Sequence, residues 1–234
     1  MLLPSLRKQV MDANLELVRQ GLVVHTFGNA SGIAREQGLV VIKPSGVPYE
    51  EMKPEDLVIS DLQGKTVEGQ LRPSSDLPTH IVLYQAFPRI GAVAHTHSEY
   101  ATAWAQARRC LPCLGTTHAD YFHGAVPVTE ALNSEDIASR YEENTGHCIV
   151  RAFKQVDYEA IPAVLVAGHG PFTWGRDAAS AAHNAVMLEA VARMAYLTLS
   201  INHAAEPIGQ DLHDKHYLRK HGSKAYYGQR RDCT

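Results

Sequence analysis

Near the start of the chain, apolar residues recur at spacings of three and four, at Leu6, Val10, Ala13, Leu17 and Val18, between Ser5 and Gly21. The spacing predicts an amphipathic helix with a serine N-cap and a glycine stop, laid over a sheet. The period then shortens. Gly28-Asn29-Ala30-Ser31-Gly32 reads as a loop, and Leu39-Val40-Val41-Ile42 as a buried strand leaving through the turn Lys43-Pro44-Ser45-Gly46. Leu57 to Ser60 and Lys65 to Val67 read as a hairpin about Asp61 to Gly64. After Pro73, the capping candidates Ser74-Ser75-Asp76 and Pro78-Thr79 open a helix through Ile81, Leu83, Tyr84 and Phe87. Ile90 to His95 follows as a buried strand, Glu99 to Arg108 and Ser134 to Asn144 as helices, Ile161 to Ala167 as a strand, and Asp177 to His203 as a long alanine-rich helix.

No repeat or Gly/Ser linker interrupts this alternation, so residues 1–234 read as a single α/β domain. Its expected core is a central mixed, mostly antiparallel β-sheet with helices on both faces. The C-terminal stretch, about 211–234, mixes Lys215, Arg219, Lys220 and Lys224 with His213, His216, His221, Tyr217, Tyr226 and Tyr227, and is expected to dock on something.

Composition narrows the function. At 234 residues with 45% hydrophobic content, intrinsic disorder is excluded. A net charge of -3 provides no basic field for a nucleic acid, no apolar run reaches the roughly 18 residues of a membrane span, and MLLPSLRKQV lacks a signal-peptide core. A cytoplasmic location is therefore expected. The four cysteines are too few for a disulfide scaffold and read as free thiols; Cys110 and Cys113 form a CxxC without the second pair of a zinc ribbon.

The chemistry is concentrated in the histidines. His95-Thr96-His97 closes a strand, where residues i and i+2 point to one face about 7 Å apart, so two imidazoles can converge on an ion. His169 sits in Gly168-His169-Gly170-Pro171 after another strand, and Asp76 could add a carboxylate or act as an acid/base. Three imidazoles with an open position form a site where Zn²⁺ acts as a Lewis acid. His25, His80, His118, His123, His147, His183 and His203 lack this spacing and read as structural, although His118 lies in the polar run Gly115 to Tyr121, which resembles an active-site loop. Gly28-Asn29, Lys43-Pro44-Ser45-Gly46 and Ser74-Ser75-Asp76 supply backbone N–H groups, hydroxyls and a lysine suited to a phosphate monoester; no P-loop or GxGxxG is present.

Taken in order, Lys43-Pro44-Ser45-Gly46, Pro73-Ser74-Ser75-Asp76-Leu77-Pro78-Thr79-His80, His95-Thr96-His97-Ser98, Gly115-Thr116-Thr117-His118-Ala119-Asp120-Tyr121-Phe122, His169-Gly170-Pro171-Phe172 and Asp214-Lys215-His216-Tyr217-Leu218-Arg219-Lys220-His221-Gly222 closely resemble the L-ribulose-5-phosphate 4-epimerases of the class II aldolase superfamily. The resemblance runs from about residue 5 to Gln229. It implies one Zn²⁺ per subunit, or another divalent metal, at Asp76, His95, His97 and His169. It also implies phosphate binding by Gly28, Asn29, Ser45, Gly46, Ser74 and Ser75 with Lys43 beside them, and Thr116 in the substrate-binding set. Asp120 matches a catalytic acid/base and Tyr227 a catalytic tyrosine contributed by a neighbouring subunit. The implied partners are a sugar phosphate and further copies of the chain in a homotetramer with sites at subunit interfaces, which would give the tyrosine-rich tail its docking surface.

The implied reaction inverts C4 of L-ribulose 5-phosphate to give D-xylulose 5-phosphate. That C–H is not adjacent to the carbonyl, so retro-aldol cleavage of C3–C4 replaces deprotonation, with Asp120 and Tyr227 on opposite faces of the new carbonyl. Two alternatives accompany this reading: a class II aldolase acting on a deoxyketose 1-phosphate such as L-fuculose 1-phosphate, whose family has Glu where Asp76 stands, and a catalytically silent relative like the adducin head. Glu99-Tyr100, Ala167-Gly168 and the extra Arg230 to Thr234 depart from the family pattern.

Overall fold

Period-2 alternation sorts the strand side chains onto two faces. Ala30, Val41, Ile59, Ala92 and Ala94 pack into one buried cluster, and Ile33, Val40, Ile42, Val58, Val93, Phe172 and Trp174 into another. The computed structural model describes residues 1–221 and 225–226. Its strands are β1 (Asn29–Ala34), β2 (Leu39–Ile42), β3 (Val58–Asp61), β4 (Thr66–Glu68), β5 (Ala92–His95), β6 (Ala163–Leu165) and β7 (Pro171–Gly175). They form one sheet in the order β4-β3-β2-β1-β5-β7-β6. All six ladders are antiparallel, and the parallel component of the expected mixed sheet is reduced to a bridge between Val128 and Leu165.

Helices cover both faces. α1 (Pro4–Arg19) and the first half of α7 (Ala178–Ile201) fill one cluster through Val10, Leu17, Ala181 and Ala185. α2 (Leu77–Ala86), α3 (Glu99–Gln106), α6 (Tyr141–Ala152) and the second half of α7 fill the other through Leu83, Trp104, Ile149 and Val191. The short helices α4 (Thr116–Ala119) and α5 (Ser134–Ala138) and the terminal α8 (Gln210–His221) complete the chain, with α8 packed on α4. No helix among the described residues is long and apolar enough to cross a membrane. Cys110, Cys113 and Cys148 are free.

Several boundaries differ from the sequence reading. The first helix begins at Pro4 with no side-chain cap, so Ser5 lies inside it. The segment read as a loop at Gly28 to Gly32 is largely β1, at the centre of the sheet between β2 and β5. Gly32 is required there because a Cβ would stand 2.8 Å from Leu6 Cδ1 and 3.0 Å from Val10 Cγ2, where α1 crosses. The helix expected over Ser134 to Asn144 is two, broken at Ser139 and Arg140, and the second runs on to Ala152. Strand β7 has no counterpart in the sequence reading.

Candidate metal and anion site

The register of the sheet builds the site. Asn29 on β1 pairs with His95 at the end of β5, and His95 pairs with Phe172 on β7, whose ring stacks on the imidazole at 4.1 Å. His97 continues from β5 against Phe27, and His169 arrives from the β6–β7 turn. Gly170 lets that turn approach, since a Cβ would lie 2.8 Å from the Thr96 carbonyl oxygen.

Between His95 and His97, His95 and His169, and His97 and His169, the ring centroids are 4.9, 4.8 and 5.0 Å apart, and one nitrogen from each ring lies within 4.8 Å of the others. His95 Nδ1–H donates to the Pro171 carbonyl at 2.9 Å, which turns Nε2 toward the other rings, 3.1 Å from His97 Nε2. His169 Nδ1 is hydrogen-bonded to the Tyr141 hydroxyl at 3.3 Å. Burial, followed by the neighbouring imidazoles, drives His169 down to about 4, and burial with His95 lowers His97. Neutral imidazoles with converging lone pairs are a donor set for a divalent transition ion such as Zn²⁺, so the residues fit the metal implied by the sequence.

Asp76, the N-cap residue of α2, lines the same cavity but stands outside the three-histidine group, with Oδ2 accepting from Asn29 Nδ2 at 2.6 Å. Burial pushes its carboxyl up, but electrostatic interaction with His95 and His80, the Asn29 amide hydrogen bond and His169 together hold it below the usual carboxylate range.

This cavity of about 330 Å³ also brings in Gly28, Asn29, Lys43, Ser45, Gly46, Ser74 and Ser75. The two serine-bearing loops hold each other: Ser45 N–H donates to the Arg72 carbonyl and Ser74 N–H to the Lys43 carbonyl, both at 2.9 Å. Ser45, Gly46 and Ser75 remain exposed beside the α2 N-terminus. Lys43 is buried, and its ammonium donates to the Pro44 and Val47 carbonyls and lies 4.6 Å above the Tyr49 ring, so it secures its own loop. Burial lowers it to about 8.

Two assigned residues are placed elsewhere. Thr116 opens α4, and Asp120, which ends it, is bound by α8: Arg219 donates to both carboxylate oxygens at 3.0 and 2.7 Å, His216 Nδ1 lies 3.1 Å away and Lys220 Nζ 3.7 Å. Neither lines the histidine cavity. Burial pushes the Asp120 carboxyl up, and the Arg219 and His216 hydrogen bonds and the Lys220 charge bring it below its ordinary value. Tyr227 lies outside the described residues. His118 is buried, with Nε2 on the Gly124 carbonyl at 2.8 Å. Conversely, Tyr141 and Glu142 at the start of α6 line the cavity without having been read from the sequence, because the helix boundary that exposes them was merged into α5. Glu99, Tyr100, Ala167 and Gly168, where the sequence departs from the family pattern, are not among its lining residues.

Residues 8–196 match the family model of the class II aldolase and adducin N-terminal domain. The chain is 55% identical over 226 residues to the L-ribulose-5-phosphate 4-epimerase UlaF of Salmonella paratyphi B, covering 97% of this chain and 99% of that one, and equally to the UlaF of Salmonella typhi. Among solved structures it superposes on an L-fuculose 1-phosphate aldolase with a TM-score of 0.77 at 26% identity, covering 92% and 95% of the two chains. It matches the L-fuculose-1-phosphate aldolase of Thermus thermophilus with a TM-score of 0.68 at 25% identity, covering 87% and 98%. Three histidines and two serine-bearing loops converge in one cavity of a chain aligned this completely, and it therefore belongs to the class II aldolase and adducin N-terminal domain family, in its L-ribulose-5-phosphate 4-epimerase group.

Proposed function

We propose that this chain is a divalent-metal-dependent, zinc-using epimerase that interconverts L-ribulose 5-phosphate and D-xylulose 5-phosphate by breaking and re-forming the C3–C4 bond. The observation that carries the reading is that the three-histidine group and the Ser45, Gly46, Ser74 and Ser75 loops open onto one cavity, so a metal-bound reacting end and a phosphate end of one small sugar fit together.

His95, His97 and His169 would hold the ion, with Asp76 beside them as a further ligand or proton carrier. An ion bound there would supply Lewis acidity where the ketose C2 oxygen gains negative charge. Loss of the C4 hydroxyl proton to a base turns the O–H pair into the new C4 carbonyl and releases the C3–C4 pair toward C2. The phosphate stays on its loops and the α2 N-terminus, so the aldehyde fragment can turn its other face without escaping. Re-addition returns a proton to the C4 oxygen with inverted configuration.

Asp120 and Tyr227 are the candidate proton carriers. Asp120 is held against α8 and away from its own chain's cavity, which favours its acting, with Thr116 near it, on the cavity of a neighbouring copy in a homo-oligomer. Tyr227 is proposed, as the family resemblance implies, to act on a neighbouring copy's site.

His97→Asn tests the metal assignment. It is expected to abolish most bound zinc and reduce turnover by on the order of 10²-fold or more, with the circular dichroism spectrum unchanged. Wild-type metal content and turnover in the purified variant would overturn the assignment.

A further inference from the structure

A polar seam runs from the histidine cavity into the core where α2 crosses β1. Asp76, His80 and Tyr84 follow one another at i, i+4 and i+8 along a helix face, and Asn29 and Ser31 at i and i+2 along a strand face. Asn29 Nδ2 donates to Asp76 Oδ2 at 2.6 Å, and Ser31 Oγ lies 2.7 Å from both His80 Nδ1 and Tyr84 Oη. His80 is fully buried, its ring edge-on at 6.0 Å to the same Phe172 that stacks on His95.

Two buried atoms of this seam have no hydrogen-bond partner, His80 Nε2 and Asn29 Oδ1. An unsatisfied buried polar group costs about 1–3 kcal/mol, so packing alone does not account for an imidazole at this position. The direction of the remaining bonds follows from proton count. Ser31 has one hydroxyl proton and Tyr84 one. If Tyr84 donates to Ser31 and Ser31 to His80 Nδ1, each proton has an acceptor and the imidazole proton sits on Nε2. The reverse direction leaves the Tyr84 proton without an acceptor among the hydrogen bonds of the described residues.

We infer that His80 is a positioning residue for the metal site: its Nε2–H, fixed by Ser31 and Tyr84, steadies the Asp76 carboxylate together with the Asn29 amide, directly or through one water molecule. This rests on the reading of the three histidines as a metal site. A helix side chain leans toward the preceding turn, which for His80 is the turn that carries Asp76. Complete burial disfavours a charged ring, so His80 has a single N–H to give.

Glutamine sets an amide N–H donor near the position of Nε2, and asparagine can set its carbonyl oxygen, an acceptor, near Nδ1. His80→Gln and His80→Asn therefore separate the bond toward Asp76 from the bond to Ser31. Zinc affinity of each purified variant, measured by competition with a chromophoric chelator, is the decisive readout, with melting temperatures of the metal-free proteins alongside. The expected result is affinity weakened on the order of 10-fold to 100-fold in His80→Asn, restored to within about 3-fold in His80→Gln, and uncorrelated with melting temperature. Ser31→Ala, which frees the ring to change tautomer, is expected to weaken zinc several-fold in an otherwise stable protein. If wild-type protein binds zinc and the asparagine and glutamine variants bind it equally, or affinity only follows melting temperature, His80 is a packing residue. Wild-type protein that binds no zinc overturns the metal reading itself and this role with it.

Discussion

His118 carries a pH dependence that can be worked out from its surroundings alone. It lies outside the histidine cavity, buried, with Nε2–H donating to the Gly124 carbonyl and Nδ1 without a partner. Burial drives it down to about 4. An unfolded histidine titrates near 6.5, so between about pH 6.5 and about pH 4 the unfolded chain binds a proton that the folded one refuses, and acidification through that window destabilises the fold. The contribution approaches about 1.4 kcal/mol per pH unit at its steepest. Melting temperatures of the metal-free protein across this range should fall less steeply in His118→Gln than in wild type; parallel curves would contradict the argument. At this scale the three converging histidines were the legible part of the site. An HxH at a strand end and a histidine in a small-residue turn after a strand carry their geometry in their spacing. The remainder was not legible for the same reason: Asp120 meets Arg219 and His216 across 99 and 96 positions, and His80 meets Ser31 across 49, separations that no local pattern encodes.

Among the elements, β1 was the most instructive failure of sequence reading. Asn-Ala-Ser-Gly-Ile-Ala has the composition of a loop, yet it is the centre of the sheet because pairing on both edges and burial under α1 override intrinsic preference. Its small residues are what allow α1 to approach. Gly32→Val should therefore destabilise the protein by about 1–3 kcal/mol, seen as a lower urea midpoint with an unchanged slope. A midpoint equal to wild type would mean that Leu6 and Val10 move aside freely. Strand β7 was hidden for a related reason: Gly170-Pro171 announces a turn, and only the pairing with β5 and β6 makes Pro171 to Gly175 a strand. The elements with clear signals matched well. The long helix starts after Asp177, which caps it reciprocally with Ser180, and the hairpin turns at the expected residues.

For the whole molecule, the placement of Asp120 bears on assembly. If Asp120 serves a neighbouring copy's cavity, His97→Asn and Asp120→Asn variants, each nearly inactive, should regain activity when co-expressed and isolated as mixed oligomers, since some interfaces then combine an intact metal site with an intact Asp120. Mixed oligomers with no more activity than either parent would return Asp120 to its own chain. The central claim concerns the reaction itself. It is tested most directly by incubating the zinc-loaded protein with L-ribulose 5-phosphate in deuterated water and following the products by NMR. Formation of D-xylulose 5-phosphate that retains hydrogen at C4, stops with a chelator and resumes with added zinc is the expected result, because C3–C4 cleavage never breaks the C4–H bond. Absence of D-xylulose 5-phosphate from zinc-loaded protein, or deuterium at C4, would contradict it.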